Sequence, residues 1–138
     1  MVRTVNKYLI ITNNQLINKN RSEEVNNTLQ FLNDLCIKHG STYKGRIDAC
    51  KSLLNINQKV PLLISELTLE IWFPILSSKN KDNIWLNYNE ILSYKATQDN
   101  KTIFKFKNGY TYEIPFNSRI IKNQMMRCEE LIKKMSQK

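Results

Sequence analysis

The residues best suited to do chemistry lie between Gly40 and Arg46, in the run GSTYKGR. Two glycines, Gly40 and Gly45, bracket two hydroxyls, a phenol and a lysine, with an arginine directly after, at the point where one helical pattern stops and the next begins. At such a junction the free backbone amides of a helix start, the side chains of Ser41, Thr42 and Tyr43, and the charges of Lys44 and Arg46 can converge on one phosphate. A plain capped turn between two helices uses the same residue types, and local physics weighs the two readings equally. If the phosphate reading holds, replacing both Lys44 and Arg46 by Glu is expected to abolish binding without lowering the melting temperature.

A second candidate is the segment KTIFKFK-NG-YTYEIP. Asn-Gly is the favoured pair for a two-residue type I′ turn, so residues 101–107 and 110–115 are expected to form a hairpin. With that loop, Lys107 pairs with Tyr110, Lys105 with Tyr112 and Ile103 with Ile114, all on one face. Phe104 and Phe106 then lie on the other, core-facing side. Lysines interleaved with phenols suit a sugar-phosphate backbone, although the same pattern also makes a solvated sheet face. Lys51, Arg119 and Lys122 are expected to add phosphate contacts from helix surfaces.

Catalytic readings fail on inventory. His39 is the single histidine, and it falls at a helix end, where a cation complements the helix dipole. No nucleophile elbow, phosphate-binding glycine loop, dinucleotide fingerprint or HExxH zinc motif occurs. The paired carboxylates Glu23–Glu24 and Glu129–Glu130 are read as solvated helix faces. Cys36, Cys50 and Cys128 are odd in number and widely spaced, which points to small core residues in a reducing cytoplasm rather than a disulfide framework or zinc site. No enzyme activity, cofactor or metal is expected.

Composition narrows the partners. The 138 residues fit one domain, 1–138, and 21 Lys plus Arg against 12 Asp plus Glu leave a formal charge of +9. That excess favours polyanions. The start MVRTVNKYLIITNN carries only a short apolar run, so no signal peptide is expected, and no run approaches the ~20 apolar residues of a membrane span.

Elements to carry these residues follow from periodicity. A strand is expected over Val5–Thr12, then a turn-rich NNQLINKN, then a helix from Ser22 to His39 capped by Asn20 and ended by Gly40. Ser41 or Thr42 caps a second helix through Leu54, with Ile47 and Cys50 inward and Lys44, Arg46 and Lys51 outside. Strands follow at 60–65, at 68–74, where TLEIWFP alternates, and at 84–97 as one long or two broken strands. The last helix, capped at Asn117 or Ser118, turns Ile121, Met125, Cys128, Ile132 and Met135 inward, leaving Arg119, Lys122, Arg127, Lys133 and Lys134 outside. The fold class is therefore α+β: an antiparallel sheet of five or six strands, two helices in the N-terminal half and a long C-terminal amphipathic helix.

GSTYKGR at 40–46, KVPLLIS at 59–65, FPILSS at 73–78, a Trp strand at 84–86, FKNGYTYEIP at 106–115 and NQMMR at 123–127 form an ordered set. In order and spacing it resembles the competence transcription factor (ComK) family, whose members look like GSSYxGR, a basic KxP strand, FPTLSS, a Trp strand and an F-x-NG-x-T-x-E-x-P hairpin. The resemblance covers about residues 36–130. It implies a cytoplasmic, self-associating activator that binds double-stranded A·T-rich promoter boxes, largely through the minor groove, to switch on DNA-uptake genes, under control of an adaptor-directed protease. A narrow minor groove attracts Lys and Arg, which suits this charge balance. Longer relatives continue past the last helix whereas this chain stops at Lys138, so a short form is expected. A paralogue or interaction module that competes for DNA or partners is the alternative.

Overall fold

The computed structural model describes residues 7–137. Among these residues nine strands and three helices follow one another as β1 (Ile10–Thr12), β2 (Gln15–Ile17), β3 (Ser22–Glu24), α1 (Thr28–Lys38), α2 (Tyr43–Leu54), β4 (Leu62–Ser65), β5 (Glu70–Pro74), β6 (Ile84–Asn87), β7 (Ile91–Ala96), β8 (Thr102–Phe106), β9 (Thr111–Ile114) and α3 (Ser118–Ser136). The strands form two antiparallel sheets, one ordered β3-β2-β1-β6-β5-β4 and the other β7-β8-β9. The α+β class holds, with a second sheet added.

The N-terminal third differs from its sequence reading. Asn13 and Asn14 both take left-handed backbone, φ 51° and 56°, the conformation of a two-residue hairpin turn. They fold NNQLI back on β1 as β2, with Ile11 opposite Leu16. Asn18 Oδ1 then accepts from the amides of Asn20 and Arg21 and makes a second tight turn into β3. Glu23 and Glu24, expected on a helix, are strand residues paired with Leu16 and Gln15. Strand pairing thus overrides a good local helix start at Asn20, and α1 begins at Asn27, whose Oδ1 accepts from the Gln30 amide. Val5 and Asn6 of the expected first strand lie outside the described residues.

Burial explains why β4, β5 and β6 are the centre of the large sheet. Leu62–Ser65, Ile71–Pro74 and Ile84–Asn87 are buried at every position, so both faces of these strands are covered. TLEIWFP therefore does not alternate. Segment 84–97 breaks at a 3₁₀ turn, Tyr88–Glu90, and its two halves serve different sheets. Helix α2 lies against β4 and between α1 and α3, while α3 also touches β5 and β7 and so bridges the sheets. Its buried stripe is Ile121, Gln124, Cys128 and Leu131, with Met125, Ile132 and Met135 at the margins. Gln124 can be buried because its Nε2 donates to the carbonyls of Lys59, at 2.9 Å, and Pro74, at 2.6 Å.

The hairpin register is shifted by one residue from that expected. Phe106 N donates to Tyr110 O at 2.8 Å, and Gly109, φ +92°, is the only left-handed residue of a three-residue loop, Lys107-Asn108-Gly109. Phe104 therefore pairs with Tyr112, Lys105 with Thr111 and Ile103 with Glu113. A one-residue slip changes every cross-strand partner. Tyr110 and Tyr112 join the phenylalanine face, and the rings Tyr94, Phe104, Phe106, Tyr110 and Tyr112 follow one another at 6.1–6.4 Å between centroids.

Candidate nucleic-acid interface

Each residue of GSTYKGR has a structural assignment. Gly40, φ +93°, ends α1 in a conformation that only glycine adopts without strain. Thr42 is the N-cap of α2 and its Oγ1 accepts from the Gly45 amide at 3.0 Å. The Tyr43 amide donates to Asn33 Oδ1 of α1 at 2.8 Å, and the Tyr43 ring meets Trp85 edge-on. Burial raises the Tyr43 pKa, so the phenol stays protonated. A side chain at position 45 would place its Cβ 2.9 Å from Ser41 Oγ, which explains the second glycine. Two amides of the helix start and the Thr42 acceptor are thus bonded within the corner rather than free for a phosphate.

Arg46, expected outside, is mostly buried, its side chain 11% exposed. One guanidinium nitrogen donates to the His39 carbonyl at 2.9 Å and the other to Glu66 Oε1 at 3.2 Å. Arg46 ties the end of α1 and the start of α2 to the β4–β5 turn. Lys44 differs: it is 85% exposed and reaches Asp48 one turn on, at 2.8 Å. That carboxylate raises the Lys44 pKa and the lysine lowers the Asp48 pKa in return. Of the two cations expected to act as a pair, one is a clamp and one is a surface charge.

Beside this corner lies a groove of about 720 Å³. One wall is the face of α2 that carries Tyr43, Lys44, Ile47, Asp48 and Lys51. The other is made by residues 57–60 and by the turn after β5, which brings Ser77, Ser78 and Lys79. Four lysines (44, 51, 59 and 79) and one carboxylate, Asp48, line it. The walls are held from behind. Asn83, almost fully buried, accepts from the amides of Ile75 and Leu76 and donates to the carbonyls of Leu76 and Ser77. Arg127 Nη1 donates to the carbonyls of Gln58 and Lys59. Lys59 has left-handed backbone, φ 54°, held by these bonds and by Gln124.

The other expected site residues lie elsewhere. Lys105 is exposed on β8 opposite Thr111, and Lys107 sits in the hairpin loop with its amide bonded to Glu90 O. With the tyrosines on the opposite face, the expected lysine-tyrosine surface does not form. Arg119 and Lys122 are exposed on α3. None of these four, nor Ser41 or Thr42, lines the groove. Lys59 and Lys79 were missed as site residues, though they belong to KVP and to the turn that follows FPILSS. Cys36, Cys50 and Cys128 are free and buried, and burial pushes the Cys36 thiol up to about 11. No helix among the described residues is long and apolar enough to cross a membrane.

The sequence model of the ComK protein family matches residues 4–138. The chain belongs to the ComK family. It is 30% identical over 99 residues to the competence transcription factor of Bacillus subtilis (strain 168), an alignment that takes in 72% of this chain and 52% of that protein. The chain thus spans about half the length of this curated relative. No solved structure matches the chain significantly. The ComK motifs quoted from the sequence fall on the corner, on both walls of the groove and on the hairpin.

Proposed function

We propose that the chain is a transcription regulator of competence genes that acts in the cytoplasm by binding double-stranded DNA, and that the groove beside α2 is where the phosphate backbone lies. The observation that supports it most is the grouping of Lys44, Lys51, Lys59 and Lys79 around one groove with a single carboxylate, in a chain of net charge +9. Phosphate neutralisation supplies a large share of a protein's affinity for DNA, and phosphate contacts from fixed elements set its position on the duplex. Family membership and the likeness to the competence transcription factor of Bacillus subtilis carry the regulatory part of the reading. Preference for A·T-rich sites belongs to the same proposal, because a narrow minor groove has the stronger negative potential. So does self-association on DNA.

Titration against A·T-rich and G·C-rich duplexes at several salt concentrations tests the proposal. Four neutralised phosphates give a log–log slope of affinity against salt of about −3.6. Replacing Lys44, Lys51 and Lys79 together by Glu is expected to remove binding, whereas replacing Lys105 and Lys107 by Glu leaves it. Cooperative binding to a duplex with two boxes is the expected sign of self-association. The absence of salt-dependent binding to any duplex would sink the proposal and favour a protein-interaction module that shares the ComK fold.

A further inference from the structure

The turn after β5 that walls the lysine groove has a second side. There lies a smaller hollow of about 280 Å³, and Ser78 and Trp85 line both spaces, so the two are neighbours. Residues 77–82 are exposed throughout, with Lys79 lining the groove and Lys81 the hollow. They form a ridge between two depressions. The ridge is compact: the Asn80 amide donates to Ser77 O at 3.0 Å and the Asn83 amide to Asn80 O at 3.2 Å, two tight turns in succession. Asn80 Oδ1 accepts from the Asp82 amide at 2.8 Å, and buried Asn83 pins the base through Leu76 and Ser77. An exposed loop held this firmly can enter a partner's groove with little loss of freedom.

The hollow is lined by donors. Asn14, Asn27 and Asn80 face it, and each spends its Oδ1 on a backbone amide, those of Thr28, Gln30 and Asp82. These bonds fix the orientation of each carboxamide and leave its NH₂ group to donate. Lys81 adds a cation, whereas Asp82, the one carboxylate of the loop, lines neither space. Such a lining calls for a partner that only accepts. Phosphate oxygens do so, and so does the minor-groove edge of an A·T pair, to which a G·C pair adds the N2 amino donor. A minor groove about 6 Å wide admits one stretch of chain, where the major groove, about 12 Å wide, admits a helix. We propose that residues 77–82 enter the minor groove of a duplex, with one strand's phosphates in the lysine groove and the other's in the hollow beside Lys81, while the Asn80 NH₂ group donates to the acceptor edges of A·T pairs. This rests on the reading of the lysine groove as a DNA site and adds the residue that discriminates sequence.

Three duplexes that differ only in the box, A·T, G·C and inosine·C, test the loop apart from the groove, since inosine lacks the N2 amino group and keeps the major-groove edge of guanine. The full chain is expected to bind the inosine duplex about as tightly as the A·T duplex and about tenfold more tightly than the G·C duplex. Asn80→Ser keeps a hydroxyl acceptor for the Asp82 amide and removes the NH₂ group. It is expected to reduce the preference for A·T over G·C by about three- to tenfold at an unchanged melting temperature and salt slope. Lys81 adds a fifth neutralised phosphate, so the slope becomes about −4.5, and Lys81→Ala returns it to about −3.6. An inosine duplex bound like G·C, an unchanged preference in Asn80→Ser or an unchanged slope in Lys81→Ala would each overturn the proposal and leave the lysine groove in place. The inosine comparison uses the unaltered chain, so it decides even if a variant fails to fold. Binding that survives replacement of Lys44, Lys51 and Lys79 together by Glu would overturn the groove reading, and the loop assignment with it.

Discussion

The corner Gly40–Arg46 and the hairpin Thr102–Ile114 use the same residue types, lysines with hydroxyls and phenols around glycine, and the fold employs them differently. At the corner, hydroxyls and amides are consumed in capping, Arg46 is drawn in as a clamp, and Lys44, the one cation that remains outside, joins Lys51 of the same helix and lysines from two other segments at the groove. In the hairpin the phenols are consumed in an aromatic row and the lysines are left on a separate face. A basic residue next to a hydroxyl is therefore not yet a phosphate site. What decides is whether the neighbouring polar groups are already satisfied and whether other charges converge on the same space.

The comparison is broken most severely by removing what each region is built on. Phe104 is fully buried in the middle of the ring row, so Phe104→Ala is expected to lower stability by about 3–5 kcal/mol, read from urea denaturation. At the corner, Arg46→Ala removes two hydrogen bonds of a charged donor, one of them to the last carbonyl region of α1. A loss of about 2–3 kcal/mol is expected, smaller than the sum of two such bonds because Glu66 is more than half exposed and returns to water. Lys44→Ala, two residues away, is expected to leave the melting temperature unchanged. If Arg46→Ala were equally silent while weakening DNA binding, Arg46 would be a contact residue and the corner a phosphate site after all.

That contrast also shows what was legible from sequence. A cap of α2 at Ser41 or Thr42, Gly40 as the end of α1, a cap of α3 at Asn117 or Ser118 and strands within 60–65 and 68–74 were readable, because each depends on local residue chemistry; the structure takes Thr42 and Asn117 as the caps and trims the strands to 62–65 and 70–74. The α+β class followed from the same periodicities. Arg46 was not readable, since its partners, His39 O and Glu66 Oε1, are fixed by how two helices and a turn meet. β3 was hidden for a related reason: Ser22–Glu24 favours a helix start locally and is a strand only because Leu16 and Gln15 lie beside it. Of the groove, Lys44 and Lys51 were identified, as the exposed face of α2. Lys59 and Lys79 were not, because only the folding of residues 57–60 and 77–79 toward α2 brings them near.

The hairpin register was missed by one residue, and Gly109 measures how firmly the observed loop is set. Its φ of +92° is one that a side chain tolerates poorly. Gly109→Ala is expected to cost about 1–2 kcal/mol in urea denaturation. Asn108 is not left-handed in this loop, so Asn108→Ala should lose little beyond its bond to the Tyr110 amide. A type I′ turn would instead need left-handed backbone at both positions. Comparable losses at 108 and 109 would therefore argue for the two-residue loop and return the tyrosines to the lysine face.

The finest separation of the two regions is electrostatic. A neutralised phosphate changes affinity by about 3.5-fold between 50 and 200 mM salt, from the slope of ~0.9 per contact. Lys51→Ala and Lys79→Ala, on opposite walls of the groove, are each expected to reduce the slope by about one, and together by about two, since the two side chains share no partner. Lys105→Ala and Lys107→Ala also remove two positive charges, so they control for net charge. If duplex DNA lies in the groove, only the first pair changes the slope. If both pairs changed it equally, binding would follow the overall charge of the chain rather than the groove. A change confined to the hairpin pair would move the interface to the second sheet.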